Sequence, residues 1–420
     1  MRFRTIRWMF LFFIIFKIFL LNCRTVSEPL NKPLIANAGP DQTTIVGSYA
    51  LFDPSRSIGV HDGELVRYEW IQDENNPARV WLFGLTSDHP GVQPVGFLKE
   101  GTYRFQLILK KGEQVSEPDD IVITVKPNPF PTFEDPNLEI KVRYALKEQT
   151  GILTKEKLES LDSLHFVSII TDKVSSLSGI EKCINLKFLD MTAENISDIT
   201  PLSGLYKLKY LDIDQQDGII DNITPLSNLI HLEHLNLRCN KVTDISLLEK
   251  LTKLKFLDIS FNPVEDYSVI GKLTELKKLL ITRYPGKDLS IFSELINLEE
   301  LWVFSGNVED ISALQNLQEL VILILEDNKI EDISALKNLK KLAVVCLGVN
   351  RIVDISSLEY LPELFEVQLF DNRIEDISPL VRNPGIGKGD YLAIMANPLN
   401  EKSKNIYIPQ LIKRGVFVFY

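Results

Sequence analysis

Hydrophobic and polar positions recur along most of this chain with a period of 22 residues. The repeat is marked by the apolar or aromatic centre of a D-I-S/T motif, found at Leu177, Ile199, Ile223, Ile245, Tyr267, Leu289, Ile311, Ile333, Ile355 and Ile377. Every step is 22 residues, except for one step of 24 between Ile199 and Ile223. A fixed period of this size predicts a solenoid, in which each unit buries its apolar face against its neighbours. Such an array offers a long ordered surface rather than a pocket for chemistry.

Each unit opens with the pattern L-x-x-L-x-L, as at Leu254, Leu257 and Ile259. The last two apolar residues alternate with polar ones, which predicts a short strand with one buried face. An asparagine follows three residues after most of these strands, at Asn240, Asn262, Asn328, Asn350, Asn372 and Asn397. We expect these side chains to bond the backbone of adjacent turns, because a tight buried bend would otherwise leave polar groups unpaired.

The residue after each motif centre is Ser or Thr, and proline follows it at Pro201, Pro225 and Pro379. A hydroxyl residue followed by proline is typical of a helix N-cap and first helical position. A 22-residue unit leaves room for about one turn of α- or 3₁₀-helix. Each unit is therefore predicted to consist of a strand, a turn, a capped helical turn and a segment that leads back to the next strand.

The segment Ile374–Leu380 reads I-E-D-I-S-P-L and follows Asn372 closely. This pattern resembles the leucine-rich repeat in its bacterial internalin-like form, over residues 166–395. Residues 130–165 resemble the helical N-terminal cap of such arrays, and residues 396–420 resemble a C-terminal cap. The resemblance implies a parallel β-sheet on the concave side and a protein partner, on a host cell or another surface.

Residues 34–127 have a different, β-type pattern, in which Tyr103, Phe105 and Leu107 alternate with polar residues. The segments Ala36–Gln42 and Gly101–Phe105 resemble the polycystic-kidney-disease (PKD) type of immunoglobulin-like sandwich. The usual W-x-F-G-D-G of that family is absent after Trp70. The resemblance therefore implies an all-β spacer domain and no ligand role.

Residues 1–22 form a basic segment and then an apolar run, which predicts a secretory signal. The run ends at Cys23 in L-L-N-C, which resembles a bacterial lipoprotein box and implies lipidation of Cys23. Residues 23–33 are predicted to be a tether. The chain is thus expected to be an exported lipoprotein at the outer membrane or cell surface. An ordinary cleaved signal and an uncleaved anchor are the alternatives.

Composition and motifs narrow the function further. The formal net charge of -11 argues against a nucleic-acid partner. Neither H-E-x-x-H, C-x-x-C nor G-x-S-x-G occurs, so we predict no enzyme activity, cofactor or metal centre. An aspartate recurs two residues before the hydroxyl column, as at Asp332 and Asp354. This column could form a calcium ladder, but hydrogen bonding to turn backbone is the simpler expectation.

The residues between the strand leucines should point to the concave side, where core packing gives no reason for aromatic side chains. We therefore expect an exposed patch that binds a partner, with aromatic anchors and some charges. The candidate residues are Phe188, Tyr210, Asp212, His234, Phe256, Asp258, Glu300, Trp302, Phe304, Ile322, Ile324 and Phe370. In one alternative, the concave sheet shields its own side chains. In another, the aromatic residues stack on sugars, and the protein is a glycan-binding or envelope lipoprotein.

Overall fold

The computed structural model describes residues 33–59, 66–80, 82, 91–129, 132–166, 173–192, 194–214 and 218–420. The predicted signal segment and the lipidation residue Cys23 lie outside these ranges. Within them, no helix combines the length and the apolar character needed to span a membrane.

Residues 42–126 form two small β-sheets around an aromatic core. The strands are β1 (Gln42–Ile45), β2 (Ser48–Phe52), β3 (Arg67–Gln72), β4 (Gln93–Phe97), β5 (Gly101–Lys111), β6 (Gln114–Val115) and β7 (Asp119–Lys126). One sheet has the order β1-β7-β5-β3, with β6 paired to β5, and β2 pairs with β4. Phe52 packs edge-on against Trp70 and Phe105, with ring centroids 4.8 and 4.9 Å away. The alternation at Tyr103, Phe105 and Leu107 places all three side chains in this core.

Two helices follow, α1 (Pro136–Leu146) and α2 (Lys155–Ser160). The Asp135 carboxylate caps α1 by accepting from the Asn137 N–H at 2.8 Å, and proline occupies the first turn. Helix α1 contacts both the β-sandwich and the solenoid. Tyr49 of the sandwich packs on Ile140 and Tyr144 of α1, with the two tyrosine rings 5.3 Å apart.

Two buried ion pairs involve side chains of α1. Arg143 lies 2.7 Å from Glu139, and Lys141 lies 3.0 Å from Glu194 of the second repeat. Glu139 also accepts from the backbone N–H of Thr132 and from the Asn128 amide. Since an unpaired buried charge is costly, the Lys141–Glu194 pair fixes how α1 packs on the first repeats, whereas the Arg143–Glu139 pair lies within α1.

From Ser163 onward, the described residues contain one parallel sheet of twelve strands in chain order. They are β8 (Ser163–His165), β9 (Phe188–Asp190), β10 (Tyr210–Asp212), β11 (His234–Asn236), β12 (Phe256–Asp258), β13 (Lys278–Thr282), β14 (Glu300–Phe304), β15 (Ile322–Ile324), β16 (Val344–Cys346), β17 (Glu366–Gln368), β18 (Tyr391–Ala393) and β19 (Phe417–Phe419). Equivalent residues of successive repeats are paired, as Leu211 with Leu235 and Leu235 with Leu257. The predicted solenoid is confirmed, with a continuous interior of repeat leucines and isoleucines.

The return segments are mostly single turns of 3₁₀-helix, as the repeat length allowed. These run over Ile180–Lys182, Thr200–Gly204, Thr224–Asn228, Ser246–Lys250, Ser268–Lys272, Ser290–Phe292, Ser312–Asn316, Ser334–Asn338 and Ser356–Tyr360. The α-helices α3 (Ser378–Arg382) and α4 (Ile408–Lys413) and a π-helical turn at Ser403–Tyr407 take this role toward the end. Ile408 and Leu411 are buried against the last repeats.

The predicted hydrogen bonds between the asparagine side chains and the backbone of adjacent turns are confirmed. Asn350 donates to the carbonyl oxygens of Leu325, Leu347 and Gly348, and accepts from the Ile330 N–H. Asn262, Asn328 and Asn372 make the equivalent bonds in their own units. The residue before each of these asparagines has a positive φ, which turns the chain sharply out of the strand.

The prediction that the Ser and Thr side chains cap the short helices is wrong. Apart from Ile180–Lys182, which begins two residues after Ser178, each of these 3₁₀-helices begins at the hydroxyl residue itself, and the residue before it makes no capping bond with its side chain. The aspartate two residues earlier does this instead: Asp332 accepts from the Ser334 N–H at 2.7 Å, and Asp354 from the Ser356 N–H at 2.8 Å. The carboxylates of Asp332 and Asp354 therefore accept hydrogen bonds from the backbone of the turn, which agrees with the simpler of the two expectations for this column. Within the described ranges, no three His, Cys, Asp or Glu residues are grouped to hold a metal ion.

Candidate binding surface

The concave face of the first repeats carries a stack of aromatic rings, which we call the aromatic ladder: Phe188, Tyr210, His234 and Phe256. Their strands β9 to β12 are paired in register, so the four side chains leave the sheet side by side. Successive ring centroids are 3.9, 4.0 and 3.9 Å apart, and the ring planes are 10 to 11° from parallel. The His165 ring extends the stack at 4.4 Å from Phe188.

The aromatic ladder is uncharged at neutral pH. Burial between its neighbours, with the Lys278 charge nearby, lowers the pKa of His234 to about 4. The His234 Nε2 atom is buried without a hydrogen-bond partner. Burial and the carboxylates of Asp212 and Asp190 raise the pKa of Tyr210 to about 12.

The acidic residues beside the ladder are bound into the sheet. Asp212 accepts from the Asp214 N–H and from the Asn236 amide, both at 3.0 Å. Asp258 is buried and accepts from the Ser260 N–H at 2.8 Å. Burial raises the pKa of both carboxyl groups. Asp258 therefore offers little surface to a partner.

Lys278 and Glu300 stand in the ladder's column on the next two strands. They form an ion pair of 2.7 Å. The Lys278 ammonium lies 5.7 Å from the Phe256 ring centroid and 5.1 Å from that of Trp302. It thus joins the aromatic ladder to the apolar residues of β14 through cation–π contacts.

The apolar residues of β14, Trp302 and Phe304, belong to a hydrophobic cluster that also includes residues of β15 and β16. Ile322, Ile324, Val344 and Cys346 are only 5 to 8% exposed, and Trp302 and Phe304 pack against them. The expectation that Ile322 and Ile324 are exposed is therefore wrong. Parallel strands about 4.8 Å apart bring side chains of adjacent strands into contact, and two large rings beside them remove most of the remaining surface. Trp302 and Phe304 stay partly exposed, in an edge-to-face pair at 5.9 Å.

Phe370 is placed by Gly348, which lies two residues after the adjacent strand β16. A Cβ atom at Gly348 would come within 2.5 Å of the Phe370 ring carbons, so the ring lies directly over this backbone. Phe370 remains partly exposed.

The sequence analysis missed the last aromatic residues of the concave face. Tyr391 pairs with Glu366, and Phe417 pairs with Tyr391, so both belong to the ladder's column. Phe417 and Phe419 are 59% and 44% exposed, more than any of the predicted binding residues. Counting in steps of 22 residues does not find Tyr391 and Phe417, because the steps from Glu366 to Tyr391 and from Tyr391 to Phe417 are longer than 22 residues.

Comparison with known proteins agrees with this architecture. The family model for leucine-rich repeats (two copies) matches residues 230–278. The structure of an internalin from Listeria monocytogenes is 27% identical with a TM-score of 0.57, covering 69% of this chain and 89% of that chain. A leucine-rich-repeat protein of Leptospira interrogans is 20% identical with a TM-score of 0.50, covering 64% and 74%, and shows the fold alone.

The curated relatives align with this chain over only a small part of their own length. The mouse dyslexia-associated protein KIAA0319-like protein is 38% identical over 133 residues, which is 31% of this chain and 12% of the relative. Mouse low-density lipoprotein receptor-related protein 11 is 28% identical over 102 residues, 24% of this chain and 20% of that protein. The chain thus spans a fifth or less of the length of these relatives.

Leucine-rich-repeat proteins are typically non-enzymatic binding proteins, and no catalytic family is among these matches. The internal repeats, the twelve-stranded parallel sheet and the structural likeness lead to one conclusion. This chain contains leucine-rich repeats, and its solenoid is similar in structure to that of a Listeria internalin.

Proposed function

We propose that this chain is an exported protein that binds a protein partner through the concave face of its solenoid. In this proposal, Cys23 carries a lipid that anchors the chain at the outer membrane or cell surface, and the partner lies on a host or other cell surface. The leucine-rich-repeat fold supports a protein-binding role. The lipoprotein-like sequence before Cys23 supports the anchor.

The aromatic ladder carries the proposal. Its rings are held by their neighbours at about 4 Å and lack charge at neutral pH. A partner that packs on their edges would therefore immobilise few additional rotamers, which lowers the entropic cost of association. Trp302 and Phe304 add partly exposed rings, and the Lys278–Glu300 pair adds charges that can set register.

The same geometry favours a protein over a glycan. Sugars stack on open ring faces, whereas the faces within the ladder are covered by adjacent rings. The Lys278 ammonium lies over the Trp302 ring. Ring edges and partly exposed aromatic side chains are better suited to the apolar and polar side chains of a protein surface.

Site-specific photo-crosslinking would test the binding surface. A photoreactive phenylalanine analogue would replace Phe256 in the ladder, and in the matched control Phe261, which is exposed in the turn after β12. We expect one defined protein adduct from position 256 that is lost when Tyr210→Ala is added, and no such adduct from position 261. Identical adducts from both positions, or none from position 256, would contradict the concave-face proposal.

Protease treatment of intact cells would test the location. We expect loss of the repeat domain while a periplasmic control protein survives, and release of the Cys23→Ser variant from the membrane fraction. Protection of the repeats until the outer barrier is opened would place them in the envelope instead.

A further inference from the structure

The helix at the start of the solenoid is buried on every side. Helix α1 contacts β8, the first strand of the parallel sheet. Its residues 138–143 are all buried. Six helical residues cover about 1.7 turns, so this burial includes every face of the helix. A helix of this kind needs packing partners on opposite sides, and the solenoid lies on one side only.

The two sides of α1 contact different domains. Leu138 and Val142 belong to the interior of the solenoid. Ile140, which is about 200° around the helix from Leu138, packs instead with Tyr49 and Leu51 of the sandwich strand β2. The helix is therefore shared between the sandwich and the solenoid, and we call its contact with the sandwich the α1 joint.

The sandwich contributes buried side chains to the α1 joint. Tyr49 is 4% exposed, and its ring lies edge-on to that of Tyr144 with the centroids 5.3 Å apart. Ser48 is fully buried, and its hydroxyl donates to the Gln149 carbonyl oxygen beyond the end of α1. The outer side of β2 is thus covered by α1 and by the residues that follow it.

A buried carboxylate ties the segment that leaves the sandwich to α1. Glu139 is 1% exposed and pairs with Arg143 at 2.7 Å. It also accepts from the Asn128 amide at 2.9 Å and from the Thr132 N–H at 2.8 Å. A buried charge is costly without such partners, so Glu139 stays satisfied only while α1 and the segment after β7 keep these positions.

The opposite side of α1 is tied to the first repeats in the same way. Lys141 pairs with the buried Glu194 at 3.0 Å, and the Glu194 carboxylate also accepts from the Val174 N–H. Asp135, the N-cap of α1, accepts from the Ser175 N–H at 2.7 Å. A displacement of α1 would therefore leave buried charges unpaired on the solenoid side as well.

We propose that the β-sandwich is a part of the solenoid's N-terminal cap, and that the sandwich, α1 and the first two repeats open as one cooperative unit. In this arrangement the sandwich is not a separate spacer, because loss of its fold would uncover Ile140 and remove partners of Glu139. The concave face is then held at a fixed orientation to the sandwich. The α1 joint contains no residue of the aromatic ladder and does not depend on the proposed partner.

Hydrogen exchange of the full chain in a mild detergent, followed by mass spectrometry of its peptides, tests the coupling. Ile123→Val is a small change in the sandwich core, away from the α1 joint. We expect it to accelerate exchange about 2- to 10-fold in β5, and by the same factor in the peptide that contains Val174. Phe105→Ala, a larger change in the same core, should accelerate both by about 100-fold or more. The matched control Phe261→Ala, at a position 51% exposed in the solenoid, should change neither.

The reverse perturbation and the α1 joint itself supply the second readout. Val142→Ala changes the solenoid side of α1, and should accelerate exchange in β5 as much as at Val174, because coupling between two sites is reciprocal. Tyr49→Ala removes the ring that packs on α1, so in this background Ile123→Val should affect β5 alone. Tyr49→Phe keeps the ring and should keep the coupling.

Accelerated exchange in β5 of the sandwich-core variants, without a change at Val174, overturns the proposal. An effect of Val142→Ala that is confined to the solenoid overturns it as well. Undiminished coupling in the Tyr49→Ala background overturns the assignment of the α1 joint as its route.

Discussion

Replacing Asn350 by alanine should strongly destabilise the solenoid. Its amide donates to the carbonyls of Leu325, Leu347 and Gly348 at 2.9 to 3.2 Å. Its oxygen accepts from the Ile330 N–H at 3.0 Å. The side chain is 9% exposed, so water has little access to these groups after the change. One side chain therefore satisfies polar groups of two successive repeats.

The expected loss follows from the groups left behind. A buried donor without a partner costs about 1–3 kcal/mol, and each further lost bond about 1 kcal/mol. We therefore expect the free energy of unfolding to fall by about 4–6 kcal/mol, since three further bonds are lost beside that of the Ile330 N–H. Asn350→Asp should cost at least as much, because a carboxylate keeps the bond from Ile330 but repels the three carbonyl oxygens.

Urea unfolding followed by circular dichroism measures the loss, with Asn338→Ala as control, because Asn338 is exposed at the end of the neighbouring 3₁₀-helix. Hydrogen exchange at the Ile330 amide gives a local readout and should accelerate in Asn350→Ala. A loss below about 1 kcal/mol with unchanged exchange at Ile330 would refute the reasoning.

Three further predictions concern single positions. Val349 has a φ of 55°, which is strained for a β-branched residue, so Val349→Asn should raise the free energy of unfolding by about 1 kcal/mol and increase the melting temperature. Gly348→Ala should destabilise by about 1–3 kcal/mol through contact with the Phe370 ring, and a double-mutant cycle with Phe370→Ala should recover most of the loss; an additive cycle would contradict this packing. Because the pKa of His234 is lowered from 6.5 to about 4, its stabilising contribution is complete above pH 6.5 and is lost as the pH falls toward 4. His234→Phe should weaken this dependence of the melting temperature on pH while keeping the ladder, and an unchanged dependence would exclude His234 as its source.

The structure reproduces much of what the repeats predicted, for a physical reason. Each 22-residue unit is displaced to the next strand by the same step, so a column in the sequence becomes a column in space. For this reason the stacked leucines, the asparagine bonds and the direction of the concave side chains could be read in advance. The ladder residues Phe188, Tyr210, His234 and Phe256 were placed on one face by this register alone.

The capping of the short helices shows where local patterns fail. Ser334 and Asp332 are both common capping residues, and their spacing in the sequence cannot tell which one bonds the backbone. The fold decides in favour of Asp332, because the helix starts at Ser334 and the aspartate carboxylate reaches its N–H from the turn before it.

The sequence by itself thus determined the repeating architecture and the column in which each side chain stands. The tertiary structure decided how exposed each column is: Ile322 and Ile324 are buried by contacts across strands, whereas Phe417 and Phe419 on β19 are 59% and 44% exposed. It also decided that the sandwich packs on α1 through Tyr49 and Ile140. Exposure and docking depend on side chains from other repeats and another domain, and a period within the sequence carries no information about those distant neighbours.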